Sequence, residues 1–229
     1  MSIAKNIHLI FHNWGDETIP PLFRQCERRI HEMHPSWNIT LWNDEMGMQH
    51  VEKTFPEYVS AYKSFTHDVQ RTDFLRLALV YGLGGFYMDL DVYPLKPLDE
   101  LTNCSVVLAE EFTVSEATQK DLNLKYQIRI ANYMFGGEAG HPFLRRVIDT
   151  MAERSSINIS SQQEILDITG PGLLTDTYWD NTDTYRDITL LRNEGRYLEF
   201  PDGRREPCLF GDYAVHLHTG TWRNGIKVI

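Results

Sequence analysis

Long apolar runs are missing from this chain. Nowhere in its 229 residues is there a stretch of the ~18 apolar residues that a bilayer-spanning helix needs. Cysteine is scarce: Cys26, Cys104 and Cys208 are odd in number and too far apart for a zinc knuckle, which argues against a disulfide framework and predicts free thiols in a reducing compartment. Basic charge is outweighed, with 22 Lys+Arg against 32 Asp+Glu and a net charge of −10. Such a balance disfavours long-range attraction to nucleic acid or anionic lipid, leaving Arg24, Arg28 and Arg29, or Arg204 and Arg205, as local exceptions. No repeat, low-complexity tract or Pro/Gly-rich linker interrupts the sequence, so one domain over residues 1–229 is expected. The N-terminal residues lead straight into a strand-like run with no secretory pattern, giving the expectation of a cytoplasmic location.

What remains is ordinary globular material: 42% hydrophobic and 24% charged residues, enough for a core without staples. Asn6 to Phe11 reads as a buried first strand, Pro20-Pro21 opens a helix to about Met33, and Trp37 to Trp42 reads as a second strand. This β-loop-α-β opening is that of an α/β nucleotide-binding fold. A short helix is predicted over 55–63 and a well-buried one over 67–81, stopped by Gly82, Gly84 and Gly85. A strand is predicted from Phe86 to Asp91, with further strands over 105–109, 132–135, 188–191, 197–200 and 214–217. Helices are expected over 142–154 and 173–179.

The chemistry concentrates in Tyr87-Met88-Asp89-Leu90-Asp91. On an extended strand, alternate residues share a side, so Asp89 and Asp91 are expected to present two carboxylates together. Two such groups repel unless a cation relieves them. Hard oxygen donors with no nearby cysteine cluster suit Mg²⁺ or Mn²⁺. A strand end in an α/β protein is also where ligands bind. An Asp-x-Asp by itself is a weak signal, since it equally describes a solvated strand end; its surroundings carry the weight. The stretch from Asp68 to Asp99 includes Asp73-x-x-Arg76, then Tyr81, Gly84-Gly85, Tyr87 and the two aspartates.

That pattern resembles the sugar-binding region of glycosyltransferase family 32, a group that includes fungal α-1,6-mannosyltransferases and bacterial capsule and lipopolysaccharide transferases. The large clostridial glucosylating toxins share its core. The strong match covers about 35 residues; Ile7 to Ile10, Trp42-Asn43, Asn132, His141-Pro142, Gly170-Pro171, His216 or His218, and Thr221-Trp222 resemble other family landmarks. Phe11 departs from it, standing where tryptophan is common. The resemblance implies a GT-A-type fold, a mixed, mostly parallel sheet flanked by helices. Residues 1–100 would form the nucleotide-sugar half and residues 101–229 the acceptor side. It implies a Mn²⁺- or Mg²⁺-dependent glycosyltransferase that retains anomeric configuration, with UDP-sugar favoured as donor and GDP-sugar next. The acceptor would be a glycan, a lipid-linked sugar, a protein or a modified nucleic acid.

Under that resemblance Asp91 is the direct metal ligand, and Asp89 binds metal through water or holds the donor ribose. Asp73 takes hydroxyls of the transferred sugar and Arg76 contacts sugar or phosphate, although three-residue spacing on a helix fits a structural ion pair as well. Tyr87 either bonds the donor or fills the core. Gly84 and Gly85 either let the backbone approach the ligand or simply end the helix. His218 is a candidate metal ligand with His216 as its rival, strand alternation placing both on one side. Thr221 adds a hydroxyl, Trp222 caps the donor, Trp14 stacks on the nucleobase or packs in the core, and Asn132 faces a sugar. Glu110 and Glu111 read as a solvated pair rather than acceptor-orienting groups. Two other functions fit the residues: an inactive sugar- or nucleotide-binding module, and a Mg²⁺-dependent phosphohydrolase.

Overall fold

The computed structural model describes residues 2–11 and 19–220. In chain order its elements begin with β1 (Asn6–Ile10), α1 (Pro21–Met33), β2 (Asn38–Trp42), α2 (Asp44–Thr54), a 3₁₀ turn (Pro56–Tyr58) and α3 (Val59–Ser64). There follow α4 (Asp68–Leu83), β3 (Gly85–Met88), β4 (Val92–Pro94), β5 (Val106–Thr113), α5 (Glu116–Asp121), β6 (Ile128–Ile130) and β7 (Met134–Gly137). The last third supplies α6 (Pro142–Glu153), α7 (Gln162–Ile168), α8 (Pro171–Trp179), β8 (Ile188–Leu191), a hairpin of β9 (Leu198–Glu199) and β10 (Arg205–Glu206), then β11 (Leu209–Phe210) and β12 (Ala214–His216). Among the described residues no helix is long and apolar enough to cross a membrane.

The main sheet runs β2-β1-β3-β7-β5-β6, with β8 also paired to β5. β1, β2, β3, β5 and β8 share one direction, while β7 and β6 run against them. The C-terminal ends of β1, β3 and β5 therefore lie along one edge, the edge where open α/β sheets bind ligands. This is the mixed, mostly parallel sheet that the resemblance implies.

Strand alternation divides the core into two layers. Tyr87 of β3 and Val106 and Leu108 of β5 pack on one face with α4, α6 and Val51 of α2. Phe86 and Met88, with Val107 and Ala109, pack on the other against Phe23 and Ile30 of α1. α4 is buried from Phe74 through Val80 without a polar face, because the sheet covers one side and α2, α3 and α6 the rest. Its N-terminus is closed by a capping box, Gln70 accepting the His67 backbone N–H at 3.2 Å. The helix passes through Gly82 and ends at Gly84, whose φ of 66° lies in the left-handed region.

α2 is an element that the sequence reading left unassigned. Its signals were local: Asn43 caps Met46 N–H at 2.9 Å, Asp44 and Glu45 occupy the first turn and Lys53 the last. Its buried residues are Gly47, His50 and Val51, too few to show a periodic apolar stripe. The expected short helix over 55–63 is split into the 3₁₀ turn and α3.

His8, buried in β1, uses both ring nitrogens. Nε2 donates to the Gly84 carbonyl at 3.0 Å, and Nδ1 accepts from Trp42 Nε1 at 3.3 Å. Only the neutral ring satisfies both contacts, since protonation would turn Nδ1 into a donor facing a donor. Burial, opposed by the Gly84 contact, pushes its pKa down from 6.5 to about 4. A depressed histidine stabilises the fold above its unfolded pKa and loses that contribution as pH falls towards the folded value. His8 should cost about 3 kcal/mol of stability between neutral pH and pH 4. An NMR titration of the His8 ring checks this: it should stay neutral to about pH 5, and an ordinary midpoint near 6.5 would contradict the burial argument.

Candidate metal and sugar-donor site

β3 ends at Met88, so Asp89 and Asp91 do not lie on a strand as expected; Asp91 sits in a turn. Strand alternation is therefore not what brings the carboxylates together. Asp89 N–H bonds the Tyr133 carbonyl at 2.8 Å, and Val92 N–H bonds back to the Asp89 carbonyl at 3.0 Å, folding Asp89-Leu90-Asp91 into a tight turn. Leu90, 5% exposed, anchors the turn in the core layer that packs against α1.

The third group comes from the far end of the chain. β4 pairs antiparallel with β12 in the register Val92↔His216, and Leu217 N–H extends the ladder to the Asp91 carbonyl at 3.0 Å. His216 is thereby set beside Asp91, its Nε2 3.1 Å from Asp91 Oδ1. One ligand atom from each of Asp89, Asp91 and His216 lies within 4.8 Å of the others. His216, the rival in the sequence reading, is the histidine placed with the aspartates. β12 stops at His216 and His218 takes φ 49°, so strand alternation does not reach His218. The His218 ring instead packs on that of His216, with centroids 4.1 Å apart.

Asp91 is held as a carboxylate. Burial alone would raise its pKa, but the His216 contact and two bonds from Thr219 to Oδ2, N–H at 2.9 Å and Oγ1 at 2.7 Å, keep it well below the usual carboxylate range. His216 shifts the other way: burial lowers its pKa, and the bond and charge of Asp91 outweigh that and raise it. Facing a carboxylate, Nε2 carries a proton, which a cation binding there must displace. The His216 ring stacks on Tyr133 at 4.4 Å and 19°, and its buried Nδ1 has no hydrogen-bond partner.

Behind the turn lies a second cluster. Asp73, 3% exposed, accepts from Asn132 Nδ2 at 3.1 Å and Thr169 Oγ1 at 2.9 Å, and faces Arg76 Nη2 at 3.3 Å. Arg76, 6% exposed, donates from Nη1 to the Asn132 carbonyl at 2.7 Å and reaches Asp89 Oδ1 at 3.6 Å. Its guanidinium lies 4.7 Å from the centre of the Tyr87 ring, and the Tyr87 hydroxyl donates to Asp89 Oδ1. Burial raises the Asp73 pKa to about 7, against the opposing pull of Arg76 and Thr169. Asp89 is raised too, by burial and the Asp91 charge, while Arg76 draws it down. Asp73, Asp89 and Asp91 thus crowd around one guanidinium and one histidine, an excess of negative charge that a divalent cation would relieve. Two aspartates and an imidazole are a donor set that fits Mn²⁺ or Mg²⁺.

Asp73, Arg76, Tyr87, Asp89, Asp91, Asn132 and His216 come together as one connected set. Gly84 and Gly85 do not join it. They lie at the opposite end of β3, roughly 13 Å of extended chain from Asp89. A Cβ on Gly85 would sit 2.5 Å from the Asn6 carbonyl, so glycine here admits close pairing with β1 rather than a ligand. Glu110 is also not a solvated charge. It is 3% exposed, bonded by Arg192 Nε at 2.8 Å and Asn193 N–H at 3.1 Å, and fastens β5 to the segment after β8. Trp14, Thr221 and Trp222 lie outside the described residues. Thr169, Thr219 and Tyr133 were missed by the sequence reading. Thr169 borders the Gly170-Pro171 landmark and Thr219 follows the histidines, but only their contacts reveal their roles.

The fold is of the GT-A type seen in glycosyltransferase domains, and it carries an acidic turn at its ligand edge. Residues 20–108 match the family model of the glycosyltransferase sugar-binding region containing DXD motif, so the resemblance read from Asp73 to Asp91 is borne out. The chain is 26% identical over 147 residues to inositol phosphoceramide mannosyltransferase 3 of Schizosaccharomyces pombe, covering 64% of this chain and 36% of that protein. It is 21% identical over 275 residues to the initiation-specific alpha-1,6-mannosyltransferase of Candida albicans, covering 94% and 71%. It spans less than half the length of the first curated relatives it matches. Among solved structures, the UDP-bound glycosyltransferase domain of the YGT toxin superposes with a TM-score of 0.54 at 9% identity, over 82% of this chain and 79% of that one, a likeness of fold.

Proposed function

We propose that this chain transfers a sugar from a nucleoside-diphosphate sugar to an acceptor hydroxyl, with Mn²⁺ or Mg²⁺ bound by Asp91, Asp89 and His216. The observation that carries the reading is the convergence of Asp89, Asp91 and His216, joined across 125 positions by the β4–β12 pairing, at the ligand edge of the sheet. A divalent ion bound there supplies positive charge to a leaving diphosphate, whose charge grows in the transition state. The protein's own groups position the parts. Thr219 fixes the Asp91 carboxylate, Tyr87 orients Asp89, and Tyr133 stacks beneath His216. Asp73, held by Asn132 and Thr169, accepts from hydroxyls of the donor sugar when ionised. Arg76 holds Asp73 and Asp89 apart from each other's charge and offers a buried cation near sugar or phosphate.

UDP is the favoured carrier, supported by the UDP-bound relative of the same fold, with GDP next. Trp14 is assigned to the nucleobase, and Thr221 and Trp222, two and three residues beyond Thr219, to the diphosphate side of the site. Retention of anomeric configuration follows from the family resemblance. No side chain in the cluster stands out as a covalent nucleophile, which fits a front-face displacement.

The test screens nucleotide sugars with and without Mn²⁺. One UDP-sugar is expected to raise the melting temperature only when metal is present, because it binds the native state alone, and slow donor hydrolysis should accompany it. Anomeric NMR of the transferred product should show a retained linkage. Binding without hydrolysis or transfer to any acceptor would instead identify an inactive sugar-binding module.

A further inference from the structure

The same edge of the sheet carries a second feature, which the donor cluster leaves unused. A cleft of about 750 Å³ opens between the C-terminal end of β5, the α5–β6 loop and helices α7 and α8. Its size falls within the ~300–1,000 Å³ typical of ligand sites. Three large apolar side chains left exposed on the described surface converge on it: Phe112 at 40%, Leu122 at 62% and Ile157 at 48%. Tyr126 adds an aromatic wall and Arg154 and Asp176 a polar one. The cleft is joined to the donor cluster through neighbouring residues of the chain. Ile168 lines it, and the next residue, Thr169, donates to Asp73. β5 runs in the same direction as β3, so Phe112 and the Asp89–Asp91 turn share one edge.

Resting on the transferase reading, we propose that this cleft binds the acceptor, and that the acceptor is a neutral glycoside rather than a phosphate-bearing lipid or an acidic protein segment. Charge balance selects that chemistry. Of the cations at the cleft, Lys125 is paired with Asp180 at 2.6 Å and Arg129 with Glu111 at 3.0 Å. Arg154 bonds only the Asp167 main-chain carbonyl, at 3.1 Å, and meets no carboxylate within salt-bridge distance among the described residues. Asp167, whose carboxylate accepts from Gln163 Nε2 at 2.9 and 3.0 Å, and Asp176 also line the cleft. Four carboxylates, Asp167, Asp176, Asp180 and Glu111, stand against these three cations, so there is no surplus of positive charge to hold a phosphate. Donors and acceptors interleaved with apolar and aromatic faces match a pyranose, which has C–H faces and a rim of hydroxyls that both give and take hydrogen bonds.

The experiment uses saturation-transfer NMR on the intact chain with a panel of neutral methyl and octyl glycosides at millimolar concentration. Phosphatidylinositol vesicles serve as the anionic arm. One or more neutral glycosides should bind, and octyl should bind more tightly than methyl. Leu122→Asp and Arg154→Gln should each weaken that binding at least about tenfold. Both positions are solvent-facing or half-buried and outside the donor cluster, so metal-dependent donor hydrolysis should stay within about twofold of wild type. The proposal is overturned if no neutral glycoside binds, if both variants bind the glycoside like wild type, or if the vesicles bind and compete at these residues. Glycoside binding needs neither metal nor donor. Absence of donor hydrolysis with glycoside binding intact would therefore sink the transferase reading and not the sugar cleft.

Discussion

Replacing Asp91 with asparagine is expected to lower metal-dependent donor turnover by about 10²–10³-fold. The substitution keeps the side-chain shape and removes the charge that the site concentrates on one cation. Asp91 is the carboxylate held most firmly in its ionised form, below the usual carboxylate range, by His216 and Thr219. Asp89 lacks those bonds, and burial raises its pKa. Mn²⁺ affinity should fall in step with turnover. The fold should survive with a modest loss of about 1.5–3 kcal/mol from the weakened charge-assisted bonds to Thr219 and His216. Circular dichroism and thermal melting check the fold, and titration calorimetry checks the metal. Turnover within about tenfold of wild type in saturating Mn²⁺ would remove Asp91 from the metal site.

Arg76→Leu carries the largest expected loss of stability, about 3–5 kcal/mol near neutral pH. Arg76 is the cation that lies against buried Asp73 and reaches Asp89. Taking it away leaves those carboxylates facing each other in a poorly solvated site. The pH dependence has a definite sign. Asp73 already has a folded pKa raised to about 7, and losing Arg76 raises it further. An acid raised in the folded state stabilises the fold below its unfolded pKa, near 3.8, and that contribution fades as pH rises through the folded value. The variant should therefore melt lower at pH 8 than at pH 5, with a steeper slope than wild type. Adding Asp73→Asn should recover much of the loss at high pH, since the uncompensated charge is then gone. A flat melting profile for the single variant would mean that Arg76 acts by packing alone.

Several features were legible without coordinates because they depend on neighbours in sequence. The alternation of Ile7, Leu9, Phe86 and Met88 against Tyr87 and Ile10 reported strands with two buried faces, and the structure divides them between two core layers accordingly. The apolar length of α4 reported a helix covered on every side. Asp73, Arg76, Asp89 and Asp91 were named from their spacing and their resemblance to a known sugar-binding region. Local chemistry also misled. An alternation argument expected Asp89 and Asp91 to converge, which they do for a different reason, because the strand ends one residue before Asp89 and a turn brings them together. Of the two glycines read as a ligand approach or a helix stop, Gly84 caps α4 and Gly85 lies against the Asn6 carbonyl of β1.

The sequence by itself determined the fold class, the helix and strand that frame the acidic motif, and the identity of its carboxylates. Hydrophobic periodicity and short motifs act over a few residues, and those features need no more. Which histidine joins Asp91 was decided by the tertiary structure, through the register of β12 on β4. So were the partners of Asp73 on β6–β7 and α7–α8, the burial of Glu110, and the cleft beside the cluster. Pairing between segments 125 positions apart depends on how whole strands are ordered in a sheet, and backbone hydrogen bonding is blind to the side chains it aligns. For that reason the arrangement of charge around the acidic turn and in the neighbouring cleft exists only once the chain has folded.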